Sequence, residues 1–340
     1  MKQKKVTFAD IAAYTGFSKT TISRYFNNPD SLTLENQEKI THALDVLGYQ
    51  ENKLAKVLAN GKSEFVGIII PNLYLHYYSE MLNQLLSTYE KYNYKFLVFI
   101  GNNKKEIEEK YIHELMAYKI EGLIVLSNTI SSEELASYKL PVVTIERECD
   151  HVCSVSTDNY LGGVQATSLL IRNNCDVILH INSIFSDTLP TYGRIQGFED
   201  ICNEHHITHE LIQRNMGNTY QETLAQLKNI FNEIEEKYPA QKKGVFLAND
   251  TYASMFLNLI FQKYGKLPKD QIVGFDDSPI ASEAILPITT VGQQIEKIAQ
   301  TAMELLVLQM NEMKKRKPTP LKEPVHKQIT PVLIRRDTTE

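Results

Sequence analysis

From Phe65 onward the chain repeats one pattern: a short, continuous apolar run followed by an amphipathic stretch of helical period. The runs are FVGIII (65–70), KFLVFI (95–100), GLIVL (122–126), PVVTI (141–145), VILHI (177–181), GVFLA (244–248) and IVGF (272–275). Amphipathic segments fall between most of them, at 79–92, 104–118, 160–172 and 219–237, and a further helix is expected at 293–313. Strands that are apolar on both faces and alternate with helices call for parallel sheets covered on both sides. There are more units than one sheet of ordinary size needs, so the expected body is two doubly wound α/β lobes. Ligands of such sheets bind at the carboxyl ends of the strands. Polar pairs stand at those ends here: Pro71-Asn72, Glu146-Arg147, Asn249-Asp250 and Asp276-Asp277.

The amino-terminal residues obey a different rule. Thr7 to Phe26, TFADIAAYTGFSKTTISRYF, reads as two short helices joined by a tight turn, the skeleton of an all-α helix-turn-helix head. Gly16 supplies a turn with positive φ at low cost. Ala12 lets two helices approach, and Ile22 and Tyr25 return to a shared core at i, i+3. Thr7 with Asp10 is placed to cap the first helix, and Ser18 the second. Asn27-Asn28-Pro29-Asp30 is a loop by composition. Thr33 then caps a third helix to about Leu47, with Leu34, Ile40, Leu44 and Leu47 as its apolar side. Gly48 ends it, and Tyr49 packs back on the bundle. Any small helical hairpin would share these residues; the basic start (Lys2, Lys4, Lys5) favours DNA. Beyond it, Asn52 can cap a further short helix in which Leu54 and Leu58 share a face, with Gly61 as a stop. A helix of about eight residues is marginal alone in water. It is therefore conditional on a partner or on DNA, or it is a linker with some helical propensity.

At 340 residues there is chain enough for two or three cores. The net charge of −5 argues by itself against nucleic acid, but it is unevenly spread. Residues 1–62 carry nine Lys and Arg against six Asp and Glu, and the remainder 27 against 35. A basic head on an acidic body suits DNA contact at one end. Cys149, Cys153, Cys175 and Cys202 form no C-x-x-C pair, so buried reduced thiols are expected rather than a disulfide framework. The start MKQKKVTF lacks the apolar run of a secretory signal and no stretch nears the length of a membrane span, so a cytoplasmic protein is expected. His205, His206 and His209 with Glu204 and Glu210 invite a metal reading. Their order is not H-E-x-x-H, however, and the segment reads as a polar loop after a helix. Cys149 and Cys153 around His151 are no stronger. Without a glycine-rich phosphate loop or a nucleophile elbow, no catalysis, metal or cofactor is expected. The run Lys314-Lys315-Arg316-Lys317 reads as a solvated last turn favoured by the helix dipole.

Taken in order, these segments resemble the lactose/galactose repressor (LacI/GalR) family of bacterial transcription regulators over essentially the whole chain. The resemblance rests on VTFADIAAYTGFSKTTISRYFN, NKLAKVLANGKSEFVGIIIPN, GRIQGF (193–198), FLANDTYA (246–253), IVGFDDS (272–278), ITTVGQQ (288–294) and the ending PVLIRRDTT. It implies a DNA-binding head at 1–50, a hinge helix at 51–62, and a body of the periplasmic-binding-protein type at 63–340. The amino-terminal lobe would be about 63–158 and 292–318, and the carboxy-terminal lobe about 159–291 and 319–340.

By the same resemblance the second helix enters the major groove. Lys19 and Thr20 are then the variable reading positions, and Arg24 contacts a base, bidentate to guanine. Ser18, Thr21 and Ser23 stand where phosphate contacts are expected, and Thr7 and Asn27 belong to the same surface. Lys19 is either a base reader or a phosphate anchor. In the hinge, Asn52 is the cap, Ala55 the small residue that permits close approach, and Leu58 the wedge in the minor groove. Glu51 departs from the family, which usually has proline there. Between the lobes the positions that match the ligand contacts are Arg194, Asn249 and Asp276, whose side chains suit sugar hydroxyls. Tyr77 and Tyr78 offer apolar faces for a sugar ring or are packing. Asp276 is a ligand contact or a helix cap. Glu146 replaces the more usual aspartate, so it either reaches a smaller ligand or pairs with Arg147. The implied protein is a homodimeric repressor of a carbohydrate-utilisation operon on a pseudo-palindromic double-stranded site, released by a small sugar. Two alternatives stand: a regulator activated by a purine-like corepressor or a phosphorylated carrier protein, and a sugar-binding protein without a regulatory role.

Overall fold

The computed structural model describes residues 6–50, 63–147, 150–184, 187–317 and 323–340, and the chain divides into two units, Met1–Lys62 and Ser63–Glu340. In the first unit three helices surround one small core: α1 (Phe8–Thr15), α2 (Lys19–Asn27) and α3 (Leu34–Leu47). The Thr7 N–H and hydroxyl both donate to the Asp10 carboxylate, at 2.8 and 2.7 Å. Gly16 sits at φ 76°, and the Thr21 N–H donates to Ser18 Oγ at 3.1 Å. Ile11, Ile22, Ile40 and Ala43 are fully buried. Burying each of the isoleucines contributes about 1.5–3 kcal/mol. Phe8 stacks on Phe26 at 5.2 Å between ring centres, and Tyr49 closes against both.

Two expectations for this unit are corrected. Leu34 is 77% exposed; it opens the first turn of α3, and Ala43 takes the core position instead. Asn27 belongs to α2 rather than to the following loop, and its amide donates back to the Ser23 carbonyl at 3.0 Å, so the helix runs one residue further than expected. The hinge, with Glu51, Asn52, Ala55 and Leu58, lies outside the described residues, as does Cys149.

The second unit holds two six-stranded sheets. One has the order β2-β1-β3-β4-β5-β11, formed by β1 (Phe65–Ile70), β2 (Lys95–Ile100), β3 (Gly122–Val125), β4 (Val142–Ile145), β5 (Cys153–Thr157) and β11 (His326–Ile329). The other has the order β7-β6-β8-β9-β10-β12. Its strands are β6 (Val177–Ser183), β7 (His209–Arg214), β8 (Lys243–Leu247), β9 (Gln271–Asp276), β10 (Thr289–Gly292) and β12 (Val332–Ile334). All pairings are parallel except β10 with β12. Helices cover both faces of each sheet, so Ile68, Ile69, Leu179 and Phe246 are buried without exposed area.

The chain crosses between lobes after β5, after β10 and between β11 and β12. That last crossing, at Thr330-Pro331, corrects the expected lobe boundary at 318/319: residues 323–329 still belong to the first lobe, because β11 pairs with β5. The expected helix 79–92 starts at His76 and divides at Thr88. The histidine-rich segment is not a loop throughout: His205 caps the helix Gly193–Glu204, and His209 begins β7. Cys153, Cys175 and Cys202 are buried free thiols. Among the described residues, no helix is long and apolar enough to cross a membrane.

Gly16 gives the head a direct test. A Cβ there would meet nothing within 4 Å, so Gly16→Ala adds only the conformational cost of a left-handed L residue. We predict a loss of about 1–2 kcal/mol in the head's unfolding transition, measured by denaturant titration; an unchanged midpoint would show that the turn does not require this conformation.

Candidate functional site

Two regions carry the expected site residues. On α2, Ile22 faces the core, and Lys19, Thr20, Arg24 and Asn27 are exposed with Ser23 half-buried. Spacings of one, four, five and eight residues put these side chains on one side of the helix. Thr7 and Ser18 are exposed at the amino-terminal caps of α1 and α2, and Thr21 is half-buried with its hydroxyl 2.9 Å from Ser18 Oγ. Arg24 thus combines a full positive charge with access to solvent from a helix held by its opposite face.

The second region is a cavity of about 570 Å³ between the lobes, at the carboxyl ends of the strands. It brings together all six expected residues: Tyr77, Tyr78, Glu146, Arg194, Asn249 and Asp276. Asp276 ends β9 at φ 114°. It is 3% exposed, and burial pushes its carboxyl well above the usual range, against the opposing pull of the Arg194 guanidinium. Arg194 rises from the helix Gly193–Glu204. Its Nε donates to Asn159 Oδ1 at 2.7 Å and a terminal nitrogen to the Ala248 carbonyl at 2.6 Å. Its guanidinium lies over the Phe275 ring, 3.6 Å from the centre.

Glu146 follows β4. Its carboxylate accepts from the Thr157 N–H and from Asn159 Nδ2, the latter at 2.8 Å. The neighbouring Arg147 turns to the Ser127 and Ile130 carbonyls. The Thr157 hydroxyl donates to Gln293 Oε1 at 2.7 Å, and Gln293 Nε2 donates to Asp276 Oδ1 at 2.5 Å. One unbroken chain of hydrogen bonds therefore runs Arg194, Asn159, Glu146, Thr157, Gln293, Asp276, drawing on both lobes. It leaves outward-facing capacity on Asp276, Arg194 and Glu146, groups that match a ligand rich in hydroxyls.

The capping role goes to Asn249, whose Oδ1 accepts from the Tyr252 N–H at 2.8 Å at the start of the helix Asp250–Tyr264. Tyr77 both packs in the first-lobe core and lines the cavity, with Tyr78 edge-on at 5.3 Å. The Tyr77 hydroxyl is buried without a hydrogen-bond partner, and burial raises its pKa well above the ordinary tyrosine value. Asn159, Thr157 and Gln293 escaped the sequence reading. Gln293 stood within the quoted ITTVGQQ, but nothing in spacing marks a glutamine as a partner of a carboxylate seventeen residues earlier. Below Asp276, the fully buried Asp250 accepts from Ser278 and Thr290, and burial raises its pKa too. No group of three metal-ligating side chains occurs among the described residues.

The raised carboxyls fix a sign. Asp276 binds its proton more tightly folded than unfolded, so its contribution to stability is fully present below the unfolded value of about 4 and is lost as pH rises through the folded value. Asp276→Asn keeps the shape and removes the titration. We predict that thermal melts of the wild type fall relative to those of Asp276→Asn as pH rises from 4 towards neutrality; parallel curves would contradict the assignment.

Residues 7–52 match the family model of bacterial regulatory proteins, lacI family, and residues 168–339 match that of a periplasmic binding protein-like domain. A sucrose operon repressor of Streptococcus mutans is 27% identical over 303 residues, covering 88% of this chain and 91% of the relative. A ribose operon repressor of Halalkalibacterium halodurans is 24% identical over 306 residues, covering 89% and 90%. The crystal structure of the lac repressor dimer bound to operator and the anti-inducer ONPF superposes with a TM-score of 0.80 at 21% identity, covering 99% of each chain.

Proposed function

The chain belongs to the lacI family of bacterial regulatory proteins, and from that premise we propose that it represses a carbohydrate-utilisation operon and is released by a small sugar in the interlobe cavity. The observation that carries the ligand half is the buried hydrogen-bond chain that ends in Asp276, Glu146 and Arg194 at the cavity wall. Three side chains of mixed charge, each oriented by a neighbour, are suited to pairs of adjacent hydroxyls. The DNA half rests on the exposed side of α2, with Arg24 as the base reader and Lys19 and Thr20 as the positions that vary the sequence read. Several curated relatives of similar length are operon repressors named for sucrose and ribose.

In this reading the protein acts as a homodimer, so that two heads meet a pseudo-palindromic site. It works in the cytoplasm, with Leu58 of the hinge wedging the centre of that site. Sugar binding alters the angle between the lobes and withdraws support from the hinge. Because a helix of that length is marginal alone, differential binding of a few kcal/mol is enough to unseat it.

The test is operator binding by the full-length protein, read by fluorescence anisotropy on a duplex from the promoter region beside its gene. Arg24→Ala is expected to cost about 1–3 kcal/mol of operator affinity. Asp276→Ala should leave operator affinity intact and abolish release by sugar. Tightening of the operator complex by a free sugar would instead establish corepression, and a normal release response in Asp276→Ala would remove that residue from the site.

A further inference from the structure

The charge on the cavity wall restricts the ligand further. Among the described residues that line it, Arg194 is the sole base, and Glu146 and Asp276 are the acids. The guanidinium is partly used: two of its nitrogens donate to Asn159 and Ala248, and its face is covered by Phe275. The helix amino terminus that opens on the cavity is closed by Asn249, which accepts from the Tyr252 N–H, and the first residue behind it is the buried Asp250. A helix start that would otherwise draw an anion is thus occupied. The rest of the described polar lining is neutral. Seven asparagines face the cavity, among them Asn72, Asn128 and Asn182, and amides donate and accept equally well.

From this we infer that the effector is an uncharged sugar, and that the same cavity rejects phosphorylated sugars and sugar acids. The inference rests on reading the cavity as the effector site. A phosphate ester would bring up to two negative charges against Glu146, with Arg194 the one cation of the described lining to offset them and already facing Asp276, in a site partly shielded from water where such repulsion is poorly screened. Burial favours the neutral form of Asp276, which as a carboxylic acid both donates and accepts and so suits a hydroxyl. Discrimination here comes from repulsion of the wrong ligand as much as from attraction of the right one.

The experiment is isothermal titration of the full-length protein with matched pairs: glucose, fructose, ribose, sucrose and maltose against glucose 6-phosphate, fructose 6-phosphate, ribose 5-phosphate, sucrose 6-phosphate and gluconate. At least one neutral sugar is expected to bind, and its phosphorylated or oxidised counterpart to bind at least about tenfold more weakly. Binding of a phosphate ester or gluconate as tightly as the neutral sugars overturns the inference, and so does binding by none of the neutral sugars. Asn128→Lys, at an exposed position of the lining, should narrow the gap between a sugar and its phosphate. An unchanged ratio would show that charge is not the discriminator and overturns the inference as well. Operator binding measured on the same preparation separates the two readings: a protein that binds neutral sugar but no operator fails as a repressor while the ligand class stands.

Discussion

The hydrogen-bond chain from Arg194 through Asn159, Glu146, Thr157 and Gln293 to Asp276 is the feature on which the body of this protein depends. Each member is nearly excluded from water. An isolated buried polar group is costly, whereas a fully partnered set is tolerated and holds its members in one geometry. The members come from both lobes and from the segments that join them: Thr157 and Asn159 flank the first crossing, and Gln293 opens the second. At the third crossing, Gln294 Nε2 donates to the Thr330 carbonyl at 2.5 Å. The pivot of the two lobes is therefore also the wall of the cavity, and a ligand that engages Asp276 or Glu146 acts on the same bonds that set the interlobe angle.

Contacts at the outer edge of the cavity are of another kind. Tyr74 meets Thr223 at 3.4 Å, His76 meets Thr251 at 3.0 Å, and Asn103 donates to Asn218 at 3.2 Å, each pairing one lobe with the other. His76 meets Thr251 through its backbone N–H as well as its ring, and Thr223 and Thr251 are buried, but each bond joins neutral groups and is of the sort worth about 0.5–1.5 kcal/mol. A stiff, buried pivot and a weakly latched rim describe a hinge that moves at modest cost. Burial holds the His76 imidazole below its ordinary pKa, with Glu283 opposing, so the rim contact is made by a neutral ring.

Much of the architecture was legible because the strands of a doubly wound sheet must be apolar on both faces. FVGIII and GVFLA announce themselves in that way. The strands that were missed are those where this rule fails. β5 is CSVST, β10 is TTVG, and β7 carries the polar sequence HELIQR at the edge of its sheet. Missing β5 hid Thr157 and Asn159, and missing β11 put the last lobe boundary about a dozen residues early. Arg194, Asn249 and Asp276 were found through their motifs, since they stand in quoted segments. Their partners Asn159 and Gln293 were not, because such an amide acquires its role only when folding brings a charged group to it. Glu146 shows the same limit: adjacency in sequence pointed to Arg147, whereas the strand geometry turns it towards Asn159 and Thr157.

The central claim is that the cavity ligand and the operator are linked through one molecule, and linkage is reciprocal. The most direct measurement is therefore the affinity of the best-binding neutral sugar for the full-length protein, with and without saturating operator duplex. The account predicts that operator weakens sugar binding by the same factor by which sugar weakens operator binding, about 5–150-fold. Equal sugar affinity in the presence and absence of operator would contradict it.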